Sequence, residues 1–349
     1  MEGLVDSFAT IRVPSGSALV SSEDRLALPW YEWDVLRKVD EFRPDIIHIH
    51  TEFSVGAMGR RYCRNRGFPI ISTCHTHYEL YMKGYLPFLP ERMGKKTART
   101  WLKSIYARDD IIITPSRSIM EELKGYGIKR NFAVIPTGVD DRVFYPRLAE
   151  SLAFRQRLEE SRPGFGQAHL LLYIGRIGKE KNIDLLASAL PEIFGKDPLA
   201  RLLIVGEGPH KTELQESIQE RGLADKVVWM NYQPRSMLPA IYSAADVFTF
   251  PSKTETQGLV TIEALLCGTP VVGVNEMGTA EILEGNRGGF LAEDNPADYA
   301  EKVLQLTQNP ELRATKAAEG LAHAQAWTTV KACRRMETLY LSMSRTLQN

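Results

Sequence analysis

The chain is poor in cysteine, carries no net charge and has no long hydrophobic run. Its four cysteines, Cys63, Cys74, Cys267 and Cys333, are scattered through 349 residues and form no metal-binding or redox spacing. Reduced thiols are the expectation. Lys plus Arg and Asp plus Glu are each 43, a balance that argues against a surface built to bind nucleic acid. No apolar run approaches the roughly 20 residues that span a bilayer, and the first residues lack the basic-then-apolar layout of a signal peptide. There is no G-x-G-x-x-G after a first strand with an acid about 20 residues later, so a dehydrogenase is not indicated. Repeats and low-complexity tracts are missing as well.

What is present is ordinary for a soluble globular protein, of a length typical for two domains: 44% apolar and 25% charged residues. Short β-branched runs alternate with helical stretches: Asp45–His50, Pro69–Cys74, Asp110–Thr114, Phe132–Pro136, Leu170–Gly175, Arg201–Gly206, Lys226–Met230, Asp246–Pro251 and Thr269–Val274. They are apolar throughout rather than alternating, the pattern of parallel strands covered on both faces. The fold class is therefore α/β, with right-handed βαβ units. Most strands end in a polar or Gly/Pro cluster, and an open α/β sheet binds ligands at its carboxyl ends. The turn-rich Pro136–Pro146 reads as a joint. Its placement predicts domains over 1–143 and 144–325, followed by an amphipathic helix over 326–349 that packs back on the first domain. The apolar positions of that helix include Trp327, Val330, Met336, Leu339 and Leu341.

Two clusters suit a phosphorylated ligand. Arg176 ends one strand and Lys181 follows it closely. A guanidinium fork and an ammonium would stabilise the charge of a departing diphosphate without a metal, although two solvated loop cations would read the same way. The second cluster, Lys253–Val260, lies between a strand and a helix ending near Leu266. Gly258 lets backbone approach a ligand, and the helix start offers free N–H groups. Glu255 in the loop and Glu263 in the helix can each accept hydrogen bonds from a vicinal diol. Carboxylates that merely favour a helix N-terminus are the plainer alternative.

The segments GRIGKEKNI, VGEGP, PTGVD and ADVFTFPSKTETQGLVTIEALLCGTPVVG together resemble glycosyltransferase family 4. The resemblance runs from about residue 25 to the end of the chain. It implies the GT-B fold, two Rossmann-like doubly wound domains facing a cleft, and retaining transfer from a nucleotide sugar that serves as co-substrate, with no other cofactor. It implies that Arg176 and Lys181 hold the diphosphate and that Glu263 binds the ribose. Glu255 and the backbone of Gln257, Gly258 and Leu259 would hold the sugar, and Tyr232, Gln233 and Pro234 would lie beside the base. His75, in TCHTHYELY, matches the histidine that faces the donor sugar. There it positions the sugar rather than acting as a base, because in retaining attack the leaving phosphate oxygen can take the acceptor's proton. UDP-hexose is expected ahead of GDP-mannose.

HTHYELY also resembles bacterial glycolipid glycosyltransferases acting on diacylglycerol. Tyr81–Arg108 then carries Lys83, Arg92, Lys95, Lys96, Arg99, Lys103 and Arg108 against Glu91, with Tyr81, Tyr85, Phe88, Trp101 and Tyr106 interleaved. Such a helix can rest on an anionic membrane, and a solvated face over an apolar core reads the same way. A cytoplasmic enzyme at the inner face of the membrane is the expectation, with a soluble sugar or polysaccharide acceptor as the alternative. His77 reads as structural. His48 and His50 read as core or wall residues, and no metal site is expected. The family normally opens with a strand and a glycine loop, which do not precede RVPS at Arg12–Ser15. Either the start is clipped, or this is a shortened variant with weakened catalysis. A non-catalytic nucleotide-sugar-binding relative is the rival from another class. The intact Glu255 and Glu263 argue against it.

Overall fold

A computed structural model describes residues 10–18, 21–28, 32–79 and 90–347. The chain divides into two compact units. One comprises residues 1–115, 119–135 and 336–349, and the other 116–118 and 136–335.

In the first unit, β1 (Ser15–Ala18) and β2 (Ser21–Ala27) pair antiparallel ahead of helix α1 (Glu32–Phe42). A parallel sheet then forms in the order β3 (His48–Ile49), β4 (Ile71–Thr73), β5 (Ile111–Thr114) and β6 (Asn131–Val134). Helices α2 (Ser54–Arg66), α3 (Glu91–Tyr106) and α4 (Arg117–Gly125) alternate with these strands. Ile71 and Ile113 are wholly buried and, with Ile135, pack against Met336, Leu339, Tyr340 and Met343 of the last helix. That spacing lays one helical stripe on the sheet. Val330 and Leu341, expected among the apolar positions, are exposed because they lie off the stripe. Arg60 and Asp109 form a buried ion pair at 3.0 Å, and Arg60 also donates to Ser72. Leaving either charge unpaired would be costly.

The second unit has a six-stranded parallel sheet: β7 (His169–Ile174), β8 (Ala200–Val205), β9 (Val227–Met230), β10 (Val247–Phe250), β11 (Val271–Val274) and β12 (Gly289–Ala292). Read from β9, the order is β9-β8-β7-β10-β11-β12, the doubly wound arrangement whose strand order reverses between the first and fourth strands. Leu170–Tyr173, Val271 and Val272 are fully buried, and each such side chain contributes about 1.5–3 kcal/mol. The connecting helices are α5 (Leu148–Ser161), α6 (Ile183–Lys196), α7 (Lys211–Glu220), α8 (Leu238–Ala244), α9 (Leu259–Leu266), α10 (Met277–Ile282), α11 (Pro296–Thr307) and α12 (Pro310–Ala324). Asn295 and Asn309 cap α11 and α12 just ahead of prolines at the first helical position. Helix α13 (Thr329–Leu347) follows. Strand β12 escaped the sequence reading because it is a four-residue edge strand that starts on glycine and is only half-buried at Phe290 and Leu291. Pro136–Pro146 belongs with this second unit: Val139 bridges to Thr328, and Phe144 is buried in its core.

Candidate functional site

The reversal of strand order between β7 and β10 brings together the loops that follow them. The loop after β7 is closed by the Tyr173 hydroxyl, which donates to the Arg176 carbonyl at 2.9 Å. Its neighbour after β8 approaches so closely that a Cβ on Gly206 would lie 2.0 Å from the Gly175 carbonyl oxygen. Lys181 reaches across to the loop after β10, where its Nζ lies 2.7 Å from Glu255 Oε1. Both side chains are largely buried, and Ser252 donates to the same carboxylate oxygen at 2.9 Å. Arg176 is mostly exposed, its guanidinium 3.5 Å from Glu180. Lys181, Glu255 and Arg176 thus sit on adjacent loops at the carboxyl end of the sheet, with the two most buried charges paired to each other.

Helix α9 begins beside them. Gly258 adopts φ 81° and ψ 53°, a left-handed conformation that side chains resist. The first amides of the helix have no carbonyl four residues back within it, and those of Thr261 and Ile262 turn to the Gly258 carbonyl. Gln257 is buried, and its amide pairs with one peptide unit: Oε1 accepts from Thr137 N and Nε2 donates to Thr137 O, each at 2.8 Å. Glu263, one turn into α9, is buried, and its carboxyl is pushed above the usual carboxylate range by burial, against the pull of Arg235 and a hydrogen bond from Tyr242. The Tyr242 hydroxyl lies 3.1 Å from one carboxylate oxygen and Arg235 lies 3.5 Å from the other. Sequence reasoning missed these two partners and Ser252. Only the serine, in the Pro251-Ser252 strand end, left a local signal. Tyr232, Gln233 and Pro234 follow β9. Tyr232 is exposed, and Gln233 donates to the Asn231 carbonyl at 3.1 Å.

In the first unit the carboxyl ends of β3 and β4 carry histidines. Ile49 lies opposite Ser72 in parallel register, so the residues just beyond, His50 and His75, emerge side by side. His50 Nδ1 lies 3.0 Å from His75 Nε2. His48 is held at both nitrogens, Nδ1 by the Tyr340 hydroxyl and Nε2 by the Thr73 hydroxyl, each at 2.6 Å. Burial lowers the pKa of all three rings, that of His48 to about 3, and Glu52 partly opposes this at His75. The imidazoles are neutral at neutral pH. His77 Nε2 lies 2.9 Å from Glu122 of α4. No three His, Cys, Asp or Glu side chains among the described residues are placed to hold a metal ion together. The buried thiols of Cys63 and Cys74 are pushed up to about 11 and 12 by burial, which makes them poor nucleophiles.

Helix α3 turns Ala98, Leu102 and Tyr106 into the core and exposes Arg92, Lys96, Arg99 and Lys103. Trp101 packs edge-on against Tyr78, so the aromatics of this helix face inward and its outer surface is basic. Residues 80–89, with Tyr81, Lys83, Tyr85 and Phe88, lie outside the described residues. No described helix is long and apolar enough to cross a membrane.

The family profile "Glycosyltransferase Family 4" matches residues 4–143 and "Glycosyl transferases group 1" matches residues 155–320. The chain belongs to the family 4 glycosyltransferases. It is a hexosyltransferase with the GT-B fold of two Rossmann-like units. It is 25% identical over 343 residues to the alpha-monoglucosyldiacylglycerol synthase of Acholeplasma laidlawii, covering 96% of this chain and 84% of that one. To the enzyme of the same name from Streptococcus pneumoniae it is 32% identical, over 76% of this chain and 60% of that one. A D-inositol 3-phosphate glycosyltransferase of Thermomonospora curvata is 30% identical over 80% of this chain and 67% of its own length. The structure of Anabaena Alr3699/HepE in complex with UDP and glucose superposes with a TM-score of 0.73 at 20% identity, covering 89% and 81% of the two chains.

Proposed function

We propose that this glycosyltransferase moves a hexosyl group from a UDP-sugar to the hydroxyl of a membrane glycolipid precursor such as diacylglycerol, with retention at the anomeric carbon. The observation that carries the donor half is the Lys181–Glu255 pair at the strand-order reversal, beside the amino end of α9. Lys181 and the Glu255 carboxylate hold each other, and a bound nucleotide sugar would offer each a new partner, phosphate for the one and hydroxyls for the other. When the donor binds, Lys181 exchanges the carboxylate for phosphate oxygens, joined by Arg176 and the α9 amides. Glu255 is released to the sugar hydroxyls, where the backbone at Gln257, Gly258 and Leu259 assists it. Glu263 takes the ribose diol, and Tyr232–Pro234 border the base. His75 hydrogen-bonds the sugar. The bond from the anomeric carbon to the phosphate breaks as the acceptor oxygen bonds to the same face. The acceptor's proton passes to the leaving phosphate oxygen. Fixed cations stabilise the developing charge, so no metal or further cofactor is invoked.

The acceptor half rests on likeness to the two diacylglycerol glucosyltransferases and on the basic outer face of α3. Arg92, Lys96, Arg99 and Lys103 suit the anionic inner face of a cytoplasmic membrane, each contributing about 1 kcal/mol near such a surface. The test is nucleotide release from UDP-glucose, UDP-galactose, UDP-N-acetylglucosamine and GDP-mannose, with and without diacylglycerol micelles. Release from a UDP-sugar, raised by the lipid, is expected. Release that ignores lipid but responds to a soluble sugar overturns the acceptor. A preference for GDP-mannose overturns the base.

A further inference from the structure

We infer that His50 is a positioning residue for His75, coupling its tautomer to that of His75 and holding the ring plane that His75 presents to the donor. The inference rests on the reading of His75 as the sugar-facing histidine. The parallel pairing of β3 and β4 delivers both rings to one sheet end, where His50 Nδ1 and His75 Nε2 lie 3.0 Å apart. The rings are stacked, with centroids 5.3 Å apart and planes at 19°. Behind His50 stands His48, its centroid 4.0 Å away. His48 cannot rotate without breaking its bonds to Tyr340 and Thr73. His50 is thus packed against a ring locked at both nitrogens, one of them by the last helix, and bonds forward to His75.

Neutral rings make this bond selective. It contains one proton. If His50 Nδ1 carries it, His75 Nε2 is bare and His75 holds its own proton on Nδ1. If His75 Nε2 carries it, His50 Nδ1 is bare and His50 is protonated on Nε2. The two rings therefore share one tautomer, both Nδ1–H or both Nε2–H, so whether His75 Nδ1 is a donor or an acceptor is tied to the proton on His50. Without His50, His75 could sample both tautomers and several ring orientations. A reacting group misplaced by even about 1 Å loses up to ~100-fold in rate.

The experiment compares wild type, His50→Ala, His50→Asn, His50→Gln, His75→Ala and the His50→Ala/His75→Ala double variant, with UDP-glucose and diacylglycerol micelles as probes. Long-range nitrogen-proton NMR on histidine-labelled protein without substrate runs beside it. His50→Ala should lower kcat about tenfold while KM for UDP-glucose changes little. Asparagine, whose amide reaches the place of Nδ1, should restore most of the rate. Glutamine, which reaches the place of Nε2, should not. The double variant should match His75→Ala alone, as expected of two residues acting as one unit. The spectra should show His50 and His75 in matching tautomers, and His50→Ala should release His75 into a mixture. An unchanged kcat in His50→Ala beside a reduced one in His75→Ala overturns the positioning role alone. Equal rescue by asparagine and glutamine, or unlike tautomers in the wild type, overturns it too. An unchanged kcat in His75→Ala sinks the role of His75 itself, and the inference with it.

Discussion

The two units carry opposite kinds of site. In the second, charged side chains pair at the carboxyl end of the sheet: Lys181 on Glu255, and Arg235 beside Glu263. In the first, three imidazoles that burial keeps neutral hold one another and two hydroxyls. A diphosphate demands fixed charge, and a largely buried charge must have a partner. A sugar or a lipid hydroxyl demands direction instead, which neutral rings supply without a desolvated charge. On the proposed reading, the contrast separates what binds the donor from what orients it.

Glu255→Ala should show the separation at its largest. Turnover should fall ~100-fold or more, as when a designed transition-state contact is lost. UDP affinity should hold or rise, because Lys181 no longer has to leave a carboxylate. The pairing of a steady-state assay with calorimetry checks it. Loss of affinity in step with turnover would mean that Glu255 builds the phosphate site rather than serving the sugar.

A smaller effect marks the neutral site. The folded-state pKa of His48 is depressed to about 3 and those of His50 and His75 are also lowered, so the unfolded chain binds more protons once pH falls below about 6.5. Stability that is whole above that pH should decline as pH falls toward the folded value. Besides its two hydroxyl partners, His48 is faced by His50 and His75, and Glu52 acts on His75 in the opposite sense. Thermal melts between pH 7.5 and 5 should slope downward, less steeply in His48→Gln. Parallel slopes in the two proteins would remove His48 from the account.

How legible each site is from the sequence follows from how far apart its parts lie along the chain. Ala245–Gly273 is one stretch that holds a strand, the Glu255 loop, Gly258 and Glu263, so its chemistry could be read locally. Lys181 could be singled out but not paired with Glu255, because the meeting depends on the order of β7 and β10 in the sheet. The His50–His75 bond depends on the register of β3 and β4, and His50 read only as a wall residue. Tyr242 and Arg235 gave no sign of their tie to Glu263, because the sign is packing of α8 and a loop against α9. Strand β12 starts on glycine and is only half-buried at its centre, so it showed no apolar run, whereas β10 and β11 of the same length are buried throughout and did. The basic helix α3 was visible as basic, but only its buried stripe reveals that Trp101 and Tyr106 turn inward.

Calorimetry with UDP asks whether a diphosphate binds where the β7 and β10 loops meet. Wild type should bind, Lys181→Ala should lose about tenfold or more in affinity as one charge-assisted contact disappears, and the more exposed Arg176→Ala should lose less. Equal affinity in all three proteins would place the nucleotide elsewhere and contradict the account.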